Sequence, residues 1–397
     1  MLPYALDWLN LVIRWFHFVA GISWIGASFF FIWLDNHLTK PAAADAAGGV
    51  TGELWSVHGG GFYHNQKYLT GPTHEPLTEN LHWFKWEAYL TWISGMAMLA
   101  IVYWVGASTF LIDPSVMALT PAAAIGISIA SIVAGWFVYD GLCRLLGGNP
   151  RVLAAAIALF LLAADWALFH VFGARAAYIH VGAIVGTIMV ANVFFVIIPG
   201  QRKMLAQIRA GQQPDPQPGR LGKIRSVHNT YLTLPVLFIM ISNHYPMTYQ
   251  NPYGWLVLAA IGLAGVLVRQ FFILSHKERL VWGLPAAAIA VLVVTAIAIA
   301  PKRNVPAGNA PPVAFAQVRP IVEQRCAVCH ATHPTQAGFV VAPAGVRLDT
   351  PANIVANAAR MKQQAVDAHA MPLGNITHMT DAERATLGAW IDAGAKP

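Results

Sequence analysis

The sequence predicts an all-α fold: a polytopic transmembrane helix bundle of about eight spans, followed by a small soluble helical domain. Three observations lead there. Of 397 residues, 56% are hydrophobic and only 11% charged, against roughly 25% charged in soluble domains. The apolar residues gather into stretches of about 20, the length that crosses roughly 30 Å of hydrocarbon. Beyond residue 312 the composition turns polar and mixed.

In chain order the expected spans are 8–34, 84–107, 120–142, 152–172, 176–199, 227–245, 254–275 and 280–300. The first has no basic n-region and is too long for a cleavable signal peptide, so it reads as a span. Residues 301–312, rich in Pro and Ala, read as a linker between a transmembrane domain at 1–300 and a soluble domain at 313–397. The formal charge of +7 could suggest nucleic acid. The basic residues instead fall in short loops between apolar runs, as membrane topology requires, so lipid is the expected partner and nucleic acid is not.

In the soluble domain, Cys326-Ala327-Val328-Cys329-His330 is the attachment motif of a c-type haem. Two thiols on one helical turn can each add to a haem vinyl group, and His330 then supplies the proximal iron ligand through Nε2. A zinc or redox CxxC is the alternative, but no second Cys pair follows and the His is adjacent. Cys143 stands alone at the end of the third span and reads as an inert small residue. An electron-transfer haem takes a second axial ligand, often Met. Met371, in Ala370-Met371-Pro372-Leu373-Gly374-Asn375, is the expected one; Met361 and Met379 are the rivals, Met being commonly a core filler. Thr380 with Glu383 three residues on forms a capping box for a closing helix over 381–394. This order of motif, Met-Pro loop and final helix resembles the small class I cytochromes c.

Haem attachment to CxxCH takes place in the bacterial periplasm, so the soluble domain belongs there. An even number of spans then puts the N-terminus there too, in a bacterial inner membrane. The loops left in the cytoplasm carry Lys40 and Lys67, Arg144 and Arg151, the run from Arg202 to Arg225, and Lys277 and Arg279. The periplasmic loops between spans carry only Arg175. The positive-inside rule agrees.

Charged and polar residues at membrane depth are costly and invite a functional reading, with snorkelling or structural pairing as the alternative. They are Arg14, His17, Lys85, Glu87, Asp140, Asp165, His170, His180, Asn192, His228, Asn229, Asn243, His244, Arg269 and His276. His17, His170, His180 and His244 fall in the periplasmic half, where two of them could hold a b-type haem between helices. The motive is distance, since the full width of the membrane is too far for one useful electron hop.

The first cytoplasmic loop concentrates aromatic, glycine and histidine residues: Gly52-Glu53-Leu54-Trp55-Ser56-Val57-His58-Gly59-Gly60-Gly61-Phe62-Tyr63-His64, and later Leu81-His82-Trp83-Phe84-Lys85-Trp86-Glu87-Ala88-Tyr89. Glycines let backbone approach a ligand, aromatics stack on a planar ring, and His, Lys and Glu transfer protons. With these motifs, Arg14-Trp15-Phe16-His17, Trp24-Ile25-Gly26 and the terminal CxxCH domain, the chain resembles the membrane-bound, cytochrome c-fused urate hydroxylases (urate oxidases) of bacterial purine breakdown. The resemblance implies oxidation of urate to 5-hydroxyisourate, with electrons passed to the haem rather than to oxygen. It implies no secure catalytic residues. On physical grounds a planar anion should stack on Trp55, Trp83 or Trp86 and pair with Lys85 or a protonated His such as His64. Glu87 or His58 would remove a proton. A one-electron haem needs two reoxidations per turnover by a respiratory acceptor, a soluble cytochrome c or a terminal oxidase. The alternatives are a membrane-anchored electron-transfer subunit, or a dehydrogenase for quinol or another small substrate.

Overall fold

In a computed structural model the chain is described over residues 2–72, 76–300, 313–336 and 339–397; the expected linker at 301–312 lies outside the described residues. Among them, six helices are long and apolar enough to cross a membrane: Trp8–His37, Pro121–Leu146, Pro150–Phe169, Ala174–Arg209, Gln217–Ser242 and Gly254–Ser275. They coincide with the expected first, third, fourth, fifth, sixth and seventh spans, consistent with a membrane protein. The expected second and eighth are helical but differ in form. Trp86–Leu99 loosens into π-helical turns at Ala100–Trp104 and Ala107–Leu111, broken by Gly106 (φ −96°, ψ 31°). Gly283–Ala298 is apolar but only 16 residues long, or about 24 Å of helix.

Local chemistry sets several helix ends. The Thr120 hydroxyl accepts from the Ala123 amide ahead of Pro121, and the Asn149 side chain accepts from the amides of Arg151 and Val152 ahead of Pro150. Both satisfy amide donors that a helix start leaves without a partner. We number the main helices α1 (Leu2–His37), α2 (Trp86–Leu99), α3 (Pro121–Leu146), α4 (Pro150–Phe169), α5 (Ala174–Ala191), α6 (Ile198–Arg209), α7 (Gln217–Ser242), α8 (Gly254–Ser275), α9 (Gly283–Ala298), α10 (Phe315–Arg325) and α11 (Asp381–Asp392). The span made by α5, a π turn at Asn192–Ile197 and α6 is the central one. Of its apolar window 61% is buried, against 28% or less in the other five. It packs on α3, α4 and α7.

The chain is not all-α, which corrects the expectation for the first cytoplasmic loop. Val50–His58 (β1) and Gly61–Tyr68 (β2) form an antiparallel hairpin, with Trp55 opposite His64 and His58 opposite Gly61. Gly59 and Gly60 make the two-residue turn at φ +58° and +82°, the left-handed pair that a tight hairpin requires. Leu54, Trp55, Val57, Phe62 and Tyr63 then supply strand-forming side chains. The hairpin is tied to the end of α1, where Asp35 pairs with Lys67 at 2.5 Å and with Lys223 of α7 at 3.7 Å.

The C-terminal region is a separate helical unit with its own core of Val318, Val322, Met361, Met379, Leu387 and Trp390. Its closing helix carries the expected capping box: Thr380 donates its amide to Glu383 Oε2 at 2.7 Å, and its hydroxyl accepts from the Glu383 amide at 3.2 Å. This unit touches the membrane domain at the end of the second helical segment. A Cβ on Gly374 would stand 3.3 Å from the Thr109 carbonyl oxygen and 3.7 Å from that of Ile112.

Candidate functional site

The candidate site residues fall into separate regions. In the C-terminal unit α10 ends directly before Cys326, and the amides of Cys329 and His330 donate to the Cys326 carbonyl at 3.2 and 2.9 Å. One turn therefore carries both thiols and the imidazole. His330 Nδ1 is held by the Val346 carbonyl at 3.0 Å, which places the proton on Nδ1 and leaves Nε2 with its lone pair. Burial pushes the Cys326 thiol up to about 12 and raises that of Cys329 as well, the reverse of the lowered pKa that a redox CxxC uses. Among the described residues no group of three or more His, Cys, Asp or Glu is placed to hold a metal ion.

Met371 sits in a loop fixed from both sides. Its amide donates to the Gln364 carbonyl at 2.9 Å, and its carbonyl accepts from Arg384 Nη1 at 2.7 Å. The same Arg384, itself buried, also donates to the Ala365 carbonyl. Met361 and Met379 are buried within the domain core, whereas Met371 is only partly covered.

The four catalytic candidates, His58, His64, Lys85 and Glu87, divide into two pairs. His58 and His64 stand on the exposed hairpin, where His64 Nε2 meets Glu53 Oε2 at 3.0 Å and its ring stacks on Trp55 at 4.3 Å. One face of Trp55 is thereby already covered. Lys85 precedes α2 and lies over the Trp86 ring at 5.8 Å. Glu87, in the first turn of α2, has a buried Oε2 with no hydrogen-bond partner. Among the described residues no hydrogen bond, ion pair or ring contact joins the hairpin histidines to Lys85 or Glu87.

His17, His170, His180 and His244 each have separate surroundings. His180 uses both ring nitrogens, Nδ1 with the Ala176 carbonyl and Nε2 with the Ser128 hydroxyl, each at 2.7 Å. His17 Nδ1 lies 3.0 Å from both the Thr91 carbonyl and the Ser94 hydroxyl. His170 is exposed and turns Nδ1 back to the Trp166 carbonyl; His244 is exposed. No ring contact among the described residues joins any two of them.

The bundle encloses a polar network at the π turn of the central span. Arg225 Nη2 meets Asp140 Oδ1 at 2.6 Å, and Arg144 Nε meets Asp140 Oδ2 at 2.7 Å. Asn192 donates to the Tyr139 hydroxyl and to Asn229 Oδ1, both at 2.9 Å. The Tyr139 hydroxyl lies 2.8 Å from His228 Nδ1. Every group here has a partner, so the network reads as a lock between α3, α5 and α7. π turns recur at functional sites, and His228 lines a groove of about 460 Å³ with Arg220 and Lys223 at its rim.

The profile of one family, described as urate oxidase N-terminal, matches residues 3–300. The chain belongs to the urate oxidase N-terminal family. The match covers the whole membrane domain and stops short of the CxxCH unit. No curated protein and no solved structure matches the chain. Membership makes the membrane domain that of a urate-related oxidoreductase. Sequence reasoning singles out Asp140, Asn192, His228 and Arg269 as intramembrane polar groups. It misses Tyr139, Tyr231 and Gln270, which read in sequence as ordinary residues of apolar helices.

Proposed function

We propose that this chain oxidises urate to 5-hydroxyisourate in its membrane domain and delivers the electrons to a c-type haem in its C-terminal domain. The observation that carries this reading is the pairing of a urate oxidase domain at 3–300 with a separate CxxCH unit packed against it at Gly374. The donor set fits the group. Cys326 and Cys329 would carry the thioether bonds, His330 with Nδ1 fixed would ligate through Nε2, and the partly covered Met371 is favoured over the core residues Met361 and Met379. When bound, the haem supplies a one-electron acceptor. The reaction balances as urate plus water giving 5-hydroxyisourate, two protons and two electrons, so two reoxidations by a soluble cytochrome c or a terminal oxidase complete each turnover.

The chain's own residues supply the proton chemistry. Of the four cytoplasmic candidates, Glu87 combines burial with an unpartnered carboxylate oxygen, the state of a base awaiting its substrate. His58, His64 and Lys85 line the approach from the cytoplasm in the arrangement of eight spans with both termini periplasmic. A second, b-type haem would take two of His17, His170, His180 and His244, and His180 would have to release the Ser128 hydroxyl from Nε2 to ligate it.

Purified protein in detergent, oxidised and without added acceptor, tests the reading. Urate alone should reduce the c-haem absorption, and xanthine should not. Reduction by a quinol but not by urate would make this a quinol-linked electron-transfer protein. Glu87→Gln should lower urate turnover by about 10²-fold or more, as loss of a general base does. His58→Ala is the matched control for the hairpin. Intact turnover in both variants removes these two bases from the mechanism.

A further inference from the structure

Arg269 lies on α8, six residues before the helix ends at Ser275, and is only 4% exposed. Its guanidinium stands 4.3 Å from the centre of the Phe29 ring of α1. Nε and Nη2 are both buried and have no hydrogen-bond partner. Buried guanidinium groups are ordinarily paired, because an uncompensated buried charge is strongly destabilising. The other buried arginine of the bundle, Arg225, follows that rule through Asp140. Arg269 does not.

The pattern of the two free atoms is informative. Nε–H and Nη2–H point in parallel from one edge of the guanidinium plane, the fork that receives two adjacent acceptors of a planar anion. A lone water would satisfy one donor and leave the charge. The neighbouring side chains are ones that could border a flat ligand. The Phe29 ring lies against the cation, and the next residue, Gln270, accepts from the Tyr231 hydroxyl of α7, which leaves its amide NH2 as a further donor. The cytoplasmic end of the same α1–α8 seam is marked by His37 and His276, with ring centroids 5.0 Å apart. Glu87, on α2, is a neighbour of the same stretch of α1. The segment entering α2 meets α1 at Phe31 through Phe84, and α2 itself meets α1 at His17 through the Thr91 carbonyl, so Glu87 falls between those levels, as Arg269 does through Phe29.

We propose that Arg269 is the anchor for the urate anion, its Nε/Nη2 edge pairing with a carbonyl oxygen and the adjacent deprotonated ring nitrogen. Gln270 and Phe29 border the ligand, and Glu87 reaches it along α1. This rests on the urate reading of the membrane domain. It moves substrate recognition from the exposed hairpin into the seam between α1, α7 and α8.

The test is direct binding of radiolabelled urate to the full-length protein in nanodiscs of neutral lipid, for the native chain, Arg269→Gln and Arg269→Lys. Thermal unfolding is followed in parallel with and without urate. The native chain should bind urate and gain thermal stability from it. Arg269→Lys keeps the charge and loses the fork, and should bind at least 10-fold more weakly; Arg269→Gln should bind at least 30-fold more weakly and gain no stability from urate. If the native chain and both folded variants bind urate equally, the anchor is overturned while the urate reading stands. If the native chain binds no urate, the urate reading itself fails. Displacement of urate from the native chain by inorganic phosphate or by anionic lipid in the nanodisc, with no loss of urate affinity in Arg269→Lys, would make the seam a phosphate or headgroup site and overturn the proposal. Should Arg269→Gln fail to fold, Arg269→Lys and the stabilisation of the native chain decide alone.

Discussion

Asp140 shows how a residue's worth depends on its partners. It sits between Arg225, buried, and Arg144, exposed and one helical turn away. Removing Arg225 alone leaves Oδ1 of the carboxylate facing a low-dielectric interior with only the exposed Arg144 on Oδ2, so Arg225→Met should destabilise the bundle by about 3 kcal/mol, the low end for a broken buried pair. The double change Asp140→Leu with Arg225→Met should recover most of that loss, because an apolar pair of similar volume leaves no charge behind. Unfolding in detergent of the two variants checks the difference; equal losses would show that the ion pair adds little beyond its packing. In the C-terminal unit, Asp349 accepts from the Thr332 hydroxyl and amide, both at 2.7 Å, and is held down at about 2. Its folded value lies below the unfolded value of about 3.9. It therefore contributes stability present above about pH 4 and lost as pH falls towards 2. Amide exchange at Thr332 should be flat from pH 7 to 5, after correction for the intrinsic rate, and should lose protection below pH 4. Protection lost already near pH 6 would point to a histidine instead. Single residues are only partly legible in sequence. A charge inside an apolar run announces itself, as Asp140 and Arg269 do. Tyr139, Tyr231 and Gln270 cannot, because their roles arise from helices 89 and 39 residues away in sequence.

At the level of elements, hydropathy is enough for six spans because lipid imposes one length and one composition. It is insufficient for the hairpin, where the strands carry no strict alternation and the motif reads as a ligand loop. The decisive signal is the Gly59–Gly60 pair between two aromatic-rich runs. Gly60 at φ +82° tolerates a β-branched side chain poorly, so Gly60→Val should cost the hairpin about 1–2 kcal/mol. Limited proteolysis between residues 50 and 68 should then become faster while the helices stay resistant. Unchanged cleavage would mean that Asp35, Lys67 and the Thr39–Glu53 bridge hold the hairpin without its turn. The end of the second span is illegible for another reason. Its π turns and Gly106 retain an apolar composition while changing the backbone path, and that path brings Thr109 and Ile112 to the C-terminal unit. The capping box at Thr380, by contrast, depends only on residues three apart and is readable in full.

At the scale of the whole molecule, the contact at Gly374 ties the membrane domain to the CxxCH unit on one side of the bundle. Gly374 has φ +57°, and a Cβ there would press on the Thr109 carbonyl. The C-terminal unit therefore stands on the face where residues 107–120 connect the second and third helical segments. With strictly alternating spans, that connection and the N-terminus lie on one side, and the connection at 210–216, flanked by Arg202, Lys203 and Arg209 on α6 and by Arg220 and Lys223 on α7, lies on the other. By the positive-inside rule the second side is the one expected in the cytoplasm. The arrangement is open to a labelling experiment in intact cells. In a Cys143→Ser background, Ser115→Cys, in the exposed connection before α3, should react with a membrane-impermeant maleimide from outside the inner membrane. Gln212→Cys, exposed between α6 and α7, should react only after the membrane is opened. Cys326 and Cys329 should stay silent where they carry thioether bonds. If both new cysteines react from the same side, the span count between them is even, and one of α3, α4 or the central helix does not cross. If the two swap sides, the CxxCH unit faces the cytoplasm, where haem attachment does not occur, and the electron path proposed for this chain loses its acceptor.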